Sequence, residues 1–267
     1  MKFWNRKNKI EFFHKEPSII ENFPIIESKD LKLEWVKNAR KDFNNQHSQG
    51  EHNVPGFSHL TRCPGIFDLF KYGYIIPLHT DVIISTKDKN FKWATPAGRS
   101  LHRGLDKHLN HQMSPFDYQN FNIGNLSPQV SDKMRKPPWV ADFIVKVDTG
   151  WHIIAPKGVR FLQLPIAYPD TFDFTSTIGI LNPAVVSAVN FPMFWNSRVN
   201  KETLIKAGTP LGHLIPMSEK KYQMVQRIMN QHDHDWIEKT TSMRNSTFWT
   251  YSKRKKIFDL YTKHWKR

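Results

Sequence analysis

Four stretches decide the fold: Trp151-His-Ile-Ile-Ala-Pro-Lys-Gly158, Ile178-Gly-Ile180, Val189-Asn-Phe-Pro192 and Ile205-Lys-Ala-Gly-Thr-Pro-Leu-Gly-His-Leu-Ile-Pro216. Short apolar runs rich in β-branched residues alternate with Pro and Gly turns, and no helical period intrudes between Trp151 and Met217. Residues of this kind pack well on a pleated, half-buried surface, and the turn residues set the strand ends. The layout predicts a mainly β chain. Its core over residues 60–217 is expected as a β-clip or jelly-roll-like barrel. An N-terminal arm and loop (1–59) precede it, and a basic amphipathic helical segment (218–267) follows.

Upstream of the core, Gly73 to Ser85 reads as strand, with Pro77 marking an edge or a bulge because it has no N–H for a ladder. A helix over Pro64 to Lys71 precedes it, and Phe91-Lys-Trp-Ala is a return strand. A short helix is expected after Asp30, carrying Leu31, Leu33, Trp35, Val36, Ala39 and Phe43. Residues 96–138 have little periodicity, and a connection of that length is usually a functional loop or a misread element. Downstream, Tyr222, Val225, Met229, His232 and Trp236 recur at steps of three and four, which predicts one helical face. A last helix carries Ile257, Leu260, Tyr261, His264 and Trp265 on one side. In Val189–Trp195, strand alternation puts Phe191, Met193 and Trp195 on one face and Phe194 on the other.

Composition narrows the class. The 267 residues carry 39 Lys and Arg against 24 Asp and Glu, a net charge of +15. Such a surplus favours acidic partners, nucleic acid among them, and serves solubility equally well. The lone Cys63 excludes an internal disulfide and a thiolate zinc site. No run approaches the ~20 apolar residues of a membrane span, and no apolar signal core follows the basic start Met1–Lys9. The expectation is a soluble, non-secreted protein with no membrane partner.

The 150–217 stretch resembles the core of the dUTPase and dCTP-deaminase group, a β-clip fold. The signals run in the same order: the Pro156-Lys-Gly158 turn, the Ile178-Gly-Ile-Leu181 entry to a hairpin, the Val189-Asn-Phe191 return, and the closing Ile205–Ile215 run. By this resemblance Gly179 and Asn182 belong to a nucleotide-binding hairpin. The chain is also similar to uncharacterised proteins of marine tailed phages, through Arg62-Cys-Pro-Gly65 and Gly73-Tyr-Ile-Ile-Pro-Leu78. That similarity implies a phage origin and a location in the host cytoplasm or the virion. Two departures from the hydrolases stand out. Asn182 occupies the place of the water-activating aspartate, and an amide cannot take a proton. Phe161-Leu-Gln-Leu-Pro-Ile-Ala replaces the phosphate-gripping Arg-Ser, so no cation meets a triphosphate there. The expected function is therefore a phage-encoded, non-catalytic binding or assembly protein that needs no cofactor, with self-association or another phage protein as partner.

Enzymatic alternatives stay open. Asp81, Asp170 or Asp173 could serve in place of Asn182 in a diverged nucleotide-processing enzyme. His79-x-Asp81 with His213 has the composition of an Fe(II) facial triad, with Arg160 or Lys206 as an anchor for a 2-oxoacid. Strand-end hydrogen bonding is the plainer role for the same residues. His232-Asp-His-Asp235 suggests a metal site, but helix neighbours diverge around the axis, and His232 is expected to pack with Trp236. His102, His108 and His111, with Arg99, Arg103 and Lys107, suggest a phosphate patch or a solvated basic loop. In the tail, Lys253, Arg254, Lys255 and Lys256 could grip nucleic-acid phosphates, with Trp249, Tyr251 and Trp265 as stacking faces. The competing reading docks the aromatics on the β-core and leaves the lysines in water.

Overall fold

The computed structural model describes residues 8–48, 63–85, 92–94, 116–120, 139–196, 202–245 and 251–266. In chain order the elements are β1 (Lys9–His14), α1 (Pro17–Asn22), β2 (Ile26–Glu27), a 3-10 turn (Ser28–Asp30), α2 (Glu34–Ser48) and α3 (Pro64–Leu69). Then come β3 (Tyr74–Pro77), β4 (Val82–Ser85), β5 (Lys92–Ala94), β6 (Phe116–Asn120), β7 (Val140–Ile154), β8 (Phe161–Leu164), β9 (Phe174–Ser176) and β10 (Gly179–Leu181). The chain continues through β11 (Ala188–Asn196), β12 (Glu202–Ile205), β13 (Pro210–Pro216), β14 (Gln223–Ile228), α4 (Gln231–Asn245) and α5 (Tyr251–Lys266). The protein is mainly β, as its sequence predicts.

A six-stranded sheet runs β14-β1-β7-β11-β9, with β6 also pairing β7; a five-stranded sheet runs β10-β8-β13-β3-β2; and β12-β4-β5 form a third. Among the described residues every pairing is antiparallel except β1 with β14. One large core draws on all three sheets, through Trp151, Phe191 and Trp195 from the first, Tyr74, Phe161 and Leu214 from the second, and Ile84 from the third. β11 shows the physics cleanly. Val189, Phe191, Met193 and Trp195 are buried while their neighbours are half-buried, so period-2 alternation places the large rings between layers. Burying each such side chain contributes about 1.5–3 kcal/mol. β13 approaches this layer so closely that Gly212 leaves no room for a Cβ against the Phe191 ring.

The expected barrel does not close. The first sheet ends at β14 and β9 and the second at β10 and β2 among the described residues. Closure would require those edges to pair; instead the sheets face each other across bulky rings. Pro77 ends β3, and the register opposite it shifts between Pro210 and Gly212, the irregularity its missing N–H suggested.

The flanking segments differ from expectation in two places. Residues 9–14, expected within an arm, form a strand inside the first sheet, between β7 and β14. Both of its faces are covered. Ile10 and Phe12 enter the large core, while Phe13 joins Ile154, Ala184, Trp236 and Tyr261 in a second cluster beneath α4 and α5. Tyr222, Val225 and Met229, expected on a helix, are not helical. Gln223–Ile228 is a strand, and helix begins only at Gln231. The open edge of β1 offers six consecutive pairings, and tertiary pairing overrides a weak local period. α2 begins near the expected place; Leu33 just before it and Trp35 and Val36 in its first turn pack with Ile75 and Ile166.

Candidate functional site

The residues of the alternative iron triad, His79, Asp81 and His213, are not brought together. His213 lies on β13 opposite Ile75 of β3. The pairing continues to Leu78, whose N–H donates to the Thr209 carbonyl and whose own carbonyl accepts from Gly208. His79 therefore sits beside Gly208, four residues along from the His213 level. At about 3.3 Å per residue that is roughly 13 Å, against the ~2 Å of a metal–imidazole bond. Two of the three, Asp81 and His213, also have a structural role. The Asp81 carboxylate accepts the Ala207 N–H at 2.7 Å. The His213 ring contacts the Tyr72 carbonyl at 2.5 Å, and a Cβ on Gly73 would lie 2.8 Å from its Nε2. Burial lowers the His213 pKa, with the Tyr72 bond working the other way. Among the described residues no three His, Cys, Asp or Glu side chains form a metal-holding group. Arg160 and Lys206 are exposed and lie outside any such grouping.

The hairpin that resembles a nucleotide site is built as a turn. Asn182 Oδ1 accepts the Ala184 N–H at 3.2 Å, and its carbonyl accepts from Val185 and Val186. Asn followed by Pro183 suits this geometry, because the amide side chain satisfies backbone two residues on. Gly179 pairs with Gln163 on β8. Where a phosphate grip would be, Phe161 is buried and Gln163 donates to the Thr177 carbonyl. Asp173 accepts from the Thr171 hydroxyl.

Asp170 lines a small cleft of about 100 Å³, together with Lys32, Leu33, Ile166, Phe174 and Thr209. One Asp170 oxygen accepts the Glu34 N–H at 3.3 Å, at the start of α2. No local pattern marks this cleft, because its walls come from three segments far apart in the chain: 32–33, 165–176 and 209–211.

The largest discrepancy concerns His232-Asp-His-Asp235. His232 and His234 are exposed, and the buried member is Asp233, on the same face of α4 as Trp236 and Thr240. Its carboxylate receives Arg227 Nη1 at 2.5 Å and Nη2 at 3.0 Å, the Asn230 N–H at 2.8 Å, and His264 Nε2 at 3.1 Å. Arg227 also donates to Glu11 at 2.9 Å and lies 4.7 Å from the Phe13 ring centroid. Burial opposes ionisation of Asp233, yet the bonds from His264, Arg227 and Asn230 outweigh it and hold the carboxyl well below the usual range. His264 stacks on Trp236 at 4.9 Å. This constellation joins β1, β14, α4 and α5. Both oxygens of the buried Asp233 carboxylate are engaged by these neighbours, which makes the constellation a structural clasp.

Two features face solvent. At the β9–β10 corner, Ile178 and Ile180 are 71 % and 58 % exposed, and β10 pairs only with β8 among the described residues; Phe172, 73 % exposed, lies at the other end of β9, beside Asn196. On α5, Ile257 and Tyr261 are buried while Lys255 and Lys256 are exposed. The Tyr261 hydroxyl donates to the Ala155 carbonyl and accepts the Ala155 N–H. Trp249 lies outside the described residues, as do His102, His108, His111, Arg99, Arg103 and Lys107; Lys253, Arg254 and Trp265 are placed by backbone only. No helix among the described residues is long and apolar enough to cross a membrane. No family model matches this chain, and no curated protein matches it.

Proposed function

We propose that this chain is a phage-encoded, non-catalytic binding or assembly protein on a dUTPase-like β-core, acting in the host cytoplasm or the virion. The observation that carries the reading is the fate of the candidate catalytic groups. Asn182, Asp81 and His213 each spend their side chain on a nearby backbone group, so none is presented to a substrate. The apolar β9–β10 corner supplies a surface for self-association. Two large apolar residues exposed beside a strand edge that has no partner among the described residues, Ile178 and Ile180, are a feature that monomers normally avoid. The finer description as a β-clip or jelly-roll-like arrangement belongs to the same proposal, supported by two face-packed sheets and the order of their turns.

The test is native mass measurement across a micromolar dilution series, repeated with the Ile178→Lys/Ile180→Lys double variant. The reading expects an oligomer that falls to the 31.5 kDa monomer in the variant. A wild-type monomer at every concentration, or an oligomer indifferent to the substitutions, refutes it.

A second reading rests on the cleft. A diverged nucleotide-processing enzyme would use Asp170, the carboxylate among the cleft residues. Deoxynucleoside triphosphate turnover abolished by Asp170→Asn would establish it in place of the first.

A further inference from the structure

Lysines on α5 form only part of a larger basic surface. The Pro156–Arg160 turn docks against α5: the Ala155 backbone is clasped by Tyr261, and Lys157 Nζ lies 5.4 Å from the Phe258 ring centroid. Lys255 is three residues before Phe258, hence a neighbour on the same side of the helix. At the far end of the turn, the Arg160 carbonyl accepts the Met217 N–H at 2.8 Å. That bond holds the 217–221 loop beside it, with Lys220 and Lys221 exposed. Residues 156–160, 217–221 and 255–263 together hold seven Lys and Arg against two carboxylates, Glu219 and Asp259. Lys157, Arg160, Lys220, Lys221, Lys255 and Lys256 are all exposed, and none forms an ion pair with another described residue.

From this juxtaposition we infer that the Pro156–Arg160 turn, the 217–221 loop and the lysine face of α5 form one binding surface for the phosphate backbone of a nucleic-acid duplex. Charge complementarity selects the partner, since a duplex presents a dense line of phosphates that cations can neutralise with release of counterions. A membrane surface fits less well. An interfacial helix needs a free apolar face, and that face of α5 is committed to the core through Ile257 and Tyr261. Recognition is sequence-independent, because the surface offers point charges and no planar donor set except Arg160. The inference stands apart from self-association, since it uses the opposite kind of surface and different residues.

The experiment is fluorescence anisotropy of a labelled random-sequence DNA duplex of about 20 base pairs with the full chain, between about 50 and 200 mM salt. With five or six phosphates contacted, the slope of log affinity against log salt is about −5. Lys157→Glu/Arg160→Glu and Lys255→Glu/Lys256→Glu should each weaken binding by more than ~10-fold and flatten the slope by about 2. Lys37→Glu/Lys41→Glu on α2 should do neither. Circular dichroism verifies that each variant is folded. A salt-independent affinity overturns the inference, as does a loss confined to the α5 pair or an equal effect of the α2 pair. Equal or tighter capture by anionic phospholipid vesicles overturns the choice of partner. A monomeric protein that binds duplex with this slope would refute the assembly reading and leave the present one standing.

Discussion

Replacing Asp233 by Ala is expected to destabilise the protein by about 3–5 kcal/mol, the usual consequence of removing one member of a buried ion pair. The figure follows from the geometry. The carboxylate is fully buried and takes four hydrogen bonds, two from a single guanidinium. Its loss strands His264 and the Asn230 N–H, and leaves Arg227 with Glu11 as its remaining carboxylate. Urea unfolding at neutral pH measures the difference. A cycle with Arg227→Met tests whether the loss belongs to the pair: the double variant should be less destabilised than the sum of the singles by at least ~1 kcal/mol. The effect has a pH signature as well. Folding depresses the Asp233 pKa, so its contribution is complete above the unfolded value near ~3.9 and declines as the pH falls below that. Asp233→Ala should remove that acid-side decline. A variant within ~0.5 kcal/mol of wild type, or strictly additive behaviour with Arg227→Met, would refute the clasp.

Three further outcomes can be checked by the same unfolding assay. Gly212→Ala forces a methyl into the Phe191 ring and should cost about 1–3 kcal/mol; Phe191→Leu in the same chain should recover part of it. Tyr261→Phe removes the hydroxyl that clasps both polar groups of Ala155 and should cost about 1–3 kcal/mol, with faster amide exchange in α5. Burial lowers the His14 pKa to about 4, reinforced by His152 and Lys15 and opposed by the Glu16 backbone bond and Asp148. Between about 4 and ~6.5 the unfolded chain therefore binds the extra proton, and stability falls by up to ~3 kcal/mol as the pH drops through that window. His14→Gln should flatten the slope there, and an unchanged slope would assign the titration elsewhere.

The β class, the turn at Pro156–Gly158, the alternation of Phe191, Met193 and Trp195, and the irregularity opposite Pro77 were legible in the residues themselves. Strand periodicity and the missing N–H of proline are local properties that need no knowledge of the rest of the chain. The structural use of Asn182 was half legible: an amide cannot act as a base, but its bond to Ala184 depends on the turn that the folded hairpin imposes.

Long-range pairing decided everything else. The strand character of Gln223–Ile228 exists because β1 presents an edge more than two hundred residues away in sequence, and no local pattern encodes a partner at that distance. The distance between His79 and His213 depends on the register of β13 against β3. The burial of Asp233 rather than His232 depends on where α4 starts. A side chain's chemistry is written at its own position, but whether it meets solvent, a backbone group or another charge is set by the segments that fold against it, and those contacts are properties of the assembled chain.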